Sequence, residues 1–185
     1  MQFVATLLNR LAYFNPMSLA GWMVWIGLGG LLAFSLLSWR SYQPKLNPRA
    51  RWMLATLVFL TPLTTLFLGL EFQNGSSLPV PGIPAEAPGS TVMLFSAAPW
   101  TLAGGLLGPF AGAALGIFSG ILRGVWDTHS IFSILEFGIL GAIFAVSTRQ
   151  NYRTPFFRLL RQPLFNVLLL SILHAVIFIL SAFFT

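Results

Sequence analysis

The chain contains no cysteine, only four carboxylates and only two histidines among its 185 residues. Without cysteine there is no disulfide, thiolate metal ligand or thiol nucleophile, and the redox compartment is not written in the sequence. The carboxylates and histidines form no HExxH, no paired metal-ligand spacing, and no glycine-rich phosphate or dinucleotide fingerprint accompanies them. No catalytic residue, metal or cofactor is therefore expected. Charge is the largest deficit. Charged side chains make up 8% of the chain and hydrophobic ones 56%, against about a quarter charged in soluble domains. With a mean hydropathy of +0.82, there is too little polar material to cover a water-facing surface. A soluble globule is excluded, and an all-α polytopic membrane protein is expected.

Six apolar stretches approach the length of roughly 20 helical residues that a hydrocarbon core requires. They lie at about 17–38, 52–70, 91–107, 109–126, 130–148 and 163–184, and predict a bundle of about six transmembrane helices over 17–184. The runs are continuously apolar instead of alternating, which selects helices over membrane strands. Residues 1–16 are too short to span and end at Asn15-Pro16, so they read as an interfacial segment.

The formal net charge of +6 does not point to nucleic acid, because the basic residues concentrate in two short linkers. Arg40, Lys45, Arg49 and Arg51 separate the first two runs; Arg149, Arg153, Arg158 and Arg161 separate the last two. Both linkers are expected in the cytoplasm of a bacterium, which places both termini outside the inner membrane and leaves Arg10 and Arg123 as the exceptions. The stretch 149–162, with Tyr152, Phe156 and Phe157 among its arginines, reads as interfacial and suited to anionic head groups. The outer linker 71–90 carries Pro79, Pro81, Pro84 and Pro88 and is expected to be extended, as a connector or a lid.

Gly108, Gly112, Gly116, Gly120 and Gly124 recur every four residues. At helical spacing they strip side chains from one face of the fourth run, so that a neighbour can approach backbone to backbone. The third run, with Ala97, Ala98, Ala103, Gly104 and Gly105, is the expected partner. Charged groups at membrane depth are costly and default to functional candidates. Arg123 and Asp127 share a helix face, Glu136 enters the fifth run from the same side, and Trp126, Thr128, His129 and Ser130 lie between them. The expectation is a small outer pocket for a ligand, bounded by Arg123, Trp126, Asp127, His129 and Glu136. The bland alternative is an Arg123–Glu136 pair that fixes helix register. The expected partners are the lipid bilayer, a small-molecule ligand at the outer face and, as a candidate, a second copy of the chain.

Ser119 and His174 fall at comparable depth in the fourth and sixth runs, which raises a serine nucleophile and its base. In this the chain resembles rhomboid intramembrane proteases, a remote third reading. It departs from them at position 117, where isoleucine stands in place of the Gly-x-Ser glycine, and in the second run, whose polar groups are threonines. His174 alone fits an interhelical hydrogen-bonding role.

From Gly108-Pro109 through the glycine repeat, Arg123 and the turn to His129, to Leu135-Glu136-x-Gly138-x-x-Gly141, the chain resembles the LytS-type five-span membrane input regions of bacterial sensor histidine kinases. The similarity extends in style from about Pro79 to Pro163, less than half the chain. It implies a sensory, signal-transducing role without enzymatic activity in this chain, which has neither a phosphoacceptor region nor an ATP-binding lobe. An external C-terminus would require a further crossing to reach a cytoplasmic output. The apolar end Ile179–Phe184, without a polar tail, suggests that a longer protein continues beyond it. The alternative is the substrate-binding component of an energy-coupling vitamin transporter, which the chain resembles in size, helix number and small-residue content. Such components usually keep both termini in the cytoplasm, the opposite of what these linkers predict.

Overall fold

The computed structural model describes residues 16, 18–40, 44, 47–71, 91–93, 95–128 and 130–183. The interfacial segment expected over 1–16 lies, apart from Pro16, outside the described residues, as do Lys45, His129 and the proline-rich stretch 72–90.

Helix α1, Leu19–Ser38, begins where the Ser18 hydroxyl accepts a hydrogen bond from the Gly21 N–H at 3.0 Å. Helix α2, Pro48–Pro62, is capped by Asn47, whose side-chain oxygen accepts from the Ala50 N–H at 2.8 Å. That cap, with a proline in the first turn, starts α2 four residues ahead of the apolar run and draws Arg49 and Arg51 onto the helix. Pro62 has no N–H to continue the ladder, and the chain widens into a π-helical turn over Leu63–Phe67. Thr61 and Thr64 support the irregularity by donating to the Leu57 and Leu60 carbonyls at 2.7 and 3.2 Å.

Two three-residue strands follow. β1, Gly69–Glu71, pairs antiparallel with β2, Thr91–Met93, with Gly69 opposite Met93. Helix α3 covers only Ala98–Leu107, so the third apolar run differs from the helix expected over 91–107. The reason is local. Pro99 cannot continue a helix arriving from residues 95–98, and the β-branched pair Thr91-Val92 suits a strand. Ten residues rise about 15 Å, half of a hydrocarbon core. Among the described residues, five helices are long and apolar enough to cross a membrane, with this half-length helix packed among them.

Gly108 turns the chain with a φ of 106°, and its N–H reaches the Ala103 and Gly104 carbonyls at 3.1 and 3.2 Å. The turn joins two helices with one residue between them, and only glycine adopts this φ cheaply. Helix α4, Pro109–Arg123, continues into a second π-helical turn at Gly124–Thr128. Helix α5 spans Phe132–Arg149, a short helix α6 spans Pro155–Leu160, and helix α7 spans Pro163–Ala182.

Cross-contacts fix the sense of each helix. Trp25 donates from its indole to the Ile131 carbonyl, and Leu32 packs at Gly138, so α1 runs parallel to α5. Asn166 donates to the Phe144 carbonyl and Ser181 to Glu136, so α7 runs antiparallel to α5. Thr65, at the C-terminal end of its crossing, meets Ser119 in the C-terminal half of α4, and two crossings of near-equal length overlap fully there only if they run parallel, so α2 runs parallel to α4. Arg40, Arg49, Arg51, Arg149, Arg153, Arg158 and Arg161 therefore gather at one end of the bundle. The described acidic positions 71, 127 and 136 belong to the other half. α4 and α5 form the centre; Leu57, Trp100, Leu140, Phe144 and Leu170 pack on one side of them, and Leu32, Leu135, Ile139 and Ala142 on the other.

Candidate functional site

The glycine repeat forms the central seam, but its main partner is α5 and not the third run. A Cβ on Gly116 would overlap the Phe137 carbonyl, and one on Gly120 would overlap the Ser133 carbonyl. At Gly112 it would lie 2.6 Å from the Gly141 oxygen and 2.9 Å from the Gly104 Cα, so α3 joins the seam at this level. The cause lies in α5 itself. Ser133, Phe137 and Gly141 recur every four residues, and their exposed carbonyls are reached wherever α4 lacks a side chain. Gly108 makes the preceding turn, and Gly124 is buried where the second π-helical turn begins.

Where α4, α5 and α7 meet, the seam opens onto a charged group. Glu136, only 3% exposed, lies on the second turn of α5, about 6 Å along from the helix start. Its carboxylate accepts a hydrogen bond from the Ser181 hydroxyl of α7 at 2.6 Å. The Arg123 guanidinium, from the last residue of α4, lies 5.3 Å from the Phe137 ring centroid, a cation–π arrangement. It is within electrostatic reach of both Glu136 and His174. His174 packs against Phe137 at 5.4 Å between ring centroids and against Phe178 at 6.5 Å. A Glu136–Ser181 contact and, on the neighbouring Phe137 ring, a guanidinium and an imidazole thus share one part of the bundle across three helices, a concentration of polarity that apolar surroundings strengthen.

Of the expected pocket residues, Arg123 and Glu136 share this part of the bundle, within electrostatic reach of each other. The Asp127 side chain and His129 lie outside the described residues, and Trp126 is half exposed. The polar turn beside them closes on itself: the Thr128 and Ser133 hydroxyls are 2.7 Å apart, and the Ser130 hydroxyl accepts from the Phe132 N–H. Ser119 and His174 do not form a nucleophile–base pair. The Ser119 hydroxyl instead lies 3.2 Å from that of Thr65, joining α4 to the π-helical turn after α2.

Sequence reasoning left out Ser181 and Phe137. The signal was present in α7, where Asn166, His174 and Ser181 are spaced by eight and seven residues and so fall within one arc of an otherwise apolar helix. All three turn toward α5, Asn166 through a hydrogen bond to the Phe144 carbonyl at 3.2 Å.

Fold and site together define a polytopic α-helical membrane protein with an ionisable cluster within its helix bundle. Set against protein-family models, curated proteins and solved structures, the chain finds no match.

Proposed function

We propose that this chain is the membrane-embedded input module of a bacterial sensor histidine kinase, seated in the cytoplasmic membrane with its arginine-rich end inside. Binding at the outer face, or a change in the bilayer, is read at Arg123 and Glu136 and passed on by displacement of α7 against the α4–α5 pair. The observation that carries this reading is the hydrogen bond between Glu136 and Ser181. At the end away from the arginines it ties the glycine seam to a largely lipid-exposed helix through a buried carboxylate, while Asn166 ties the other end to the Phe144 carbonyl. A polar contact of this kind has two distinct states, made and broken, which is what a switching element needs.

The test is the size of the gene product in native membranes, by immunoblot with an antibody against residues 72–90. A band well above 20.3 kDa supports a module of a larger signalling protein. A band at that mass overturns the kinase reading.

A second reading, the substrate-binding component of an energy-coupling transporter, is favoured by the interrupted third crossing. Half-length helices and irregular backbone at membrane depth occur where they are buried in protein or line a cavity. A C-terminal topology reporter separates the two: a cytoplasmic signal supports the transporter component, an external one the sensor.

A further inference from the structure

We infer that the connection between α5 and α7 is a built binding site for the phosphate head group of an anionic phospholipid in the leaflet at the arginine-rich end. The segment 150–162 is held in a defined shape by Gln150, which is buried. Its side-chain amide donates to the Phe157 carbonyl at 2.5 Å, and its side-chain oxygen accepts from the Tyr152 N–H at 2.9 Å. Tyr152 stacks on Phe157 at 4.9 Å between ring centroids, and Phe156 meets Phe157 edge-on at 5.7 Å. One residue thus clamps both arms of the connection, and the aromatic rings fill the space between them.

This frame sorts the four arginines into two pairs. Arg149 donates to the Leu106 carbonyl at 3.4 Å and Arg161 to the Tyr152 carbonyl at 2.7 Å, so both help hold the corner. Arg153 and Arg158 are exposed. Beside Arg158 on the short helix α6, Phe156 and Leu159 are 55% and 44% exposed and share one face, while Leu160 turns inward. Two exposed arginines on a connection that also exposes apolar side chains match a phosphate attached to acyl chains. A soluble anion would leave Phe156 and Leu159 in water. Charge complementarity points the same way, because the described acidic residues all belong to the opposite half of the bundle. The inference does not depend on whether the bundle senses or transports.

The experiment is native mass spectrometry of the full chain in neutral detergent, titrated with phosphatidylglycerol and phosphatidylcholine of equal acyl length. Each arginine at a membrane surface contributes about fivefold in affinity for anionic lipid. Phosphatidylglycerol is therefore expected to be retained roughly 25-fold better than phosphatidylcholine through two such arginines. The double variant R153Q/R158Q is expected to bring the two lipids near parity, whereas R153K/R158K keeps most of the preference, and millimolar inorganic phosphate leaves the lipid bound. Both positions are exposed, so the variants are expected to keep their helices, which far-UV circular dichroism checks. Equal retention of both lipids by the unmodified chain, an undiminished preference in R153Q/R158Q, or displacement of the lipid by inorganic phosphate would each overturn the inference.

Discussion

The α4–α5 pair and helix α1 are both apolar and both carry several glycines, yet glycine means opposite things in the two places. In α5, 67% of the membrane-length window is buried; in α1, 11% is. Gly112, Gly116 and Gly120 face carbonyls of α5 that leave no room for a side chain, whereas Gly27 and Gly30 of α1 meet nothing within 4 Å. In lipid there is no hydrophobic drive to bring helices together, so packing depends on close approach and on a few polar contacts. The difference between the regions lies in spacing. A strict four-residue repeat keeps glycines on one face over several turns, while Gly27 and Gly30 share a face for a single turn and Gly29 points elsewhere.

The sharpest way to break this contrast is at Gly116. Gly116→Val forces branched carbons into the Phe137 carbonyl and is expected to cost at least about 3 kcal/mol, at the upper end of overpacking losses. The measurement is the midpoint of SDS-driven unfolding in mixed micelles, followed by far-UV circular dichroism. A midpoint within error of the unmodified chain would mean that the seam is not closed as described.

The next effect in size belongs to the charged junction. Glu136→Ala removes the acceptor for Ser181 and the negative charge near Arg123; hydrogen bonds to charged groups contribute about 1.5 to 3 kcal/mol, and a loss of about 2 kcal/mol is expected in the same assay. Glu136→Gln keeps an acceptor for Ser181 and should lose less than half as much. Equal losses in the two variants would assign the stabilisation to charge alone, and no loss in either would remove Glu136 from the junction.

Much of this architecture was legible in the residues. Continuous apolar runs specified helices, the two arginine-bearing linkers specified which helix ends lie together, and the four-residue glycine repeat specified a seam. What the seam packs against was not legible, because Gly104-Gly105 and Gly138-x-x-Gly141 offer similar small surfaces and only the fold decides between them. The third run misled for a related reason: its hydropathy fits a full crossing, while Pro99 limits the helix to its last ten residues. At the junction, Arg123 and Glu136 stood out as charges in apolar sequence. Ser181 did not, because one hydroxyl in an apolar helix usually bonds its own backbone, as Ser171 does with the Val167 carbonyl and as Ser181 itself does with the Phe178 carbonyl beside its contact to Glu136.

A smaller effect is expected where α2 meets α4. Thr65→Val preserves shape and removes one hydroxyl of the pair with Ser119. Interhelical hydrogen bonds in membranes average about 0.6 kcal/mol, so the unfolding midpoint should fall slightly. Adding Ser119→Ala should then cost almost nothing more, since the two hydroxyls form one contact. Additive losses in the double variant would show that each hydroxyl has an independent partner.

The smallest effect tests the other side of the comparison. Gly30→Ala on α1 adds a methyl group into open space and removes glycine's backbone freedom, so it should raise stability by about 0.5 kcal/mol. Gly30→Leu is the more demanding variant. If the Gly27–Gly30 face meets only lipid tails, leucine is as well accommodated there as alanine, and neither stability nor the mass of the particle in light scattering should change. If that face is where two copies of the chain associate, the bulkier side chain would separate them: the particle mass would halve and stability would become dependent on protein concentration. The same residue type would then serve close approach in both regions, within the chain at α4 and between chains at α1, and the contrast between seam and periphery would become one between two kinds of interface.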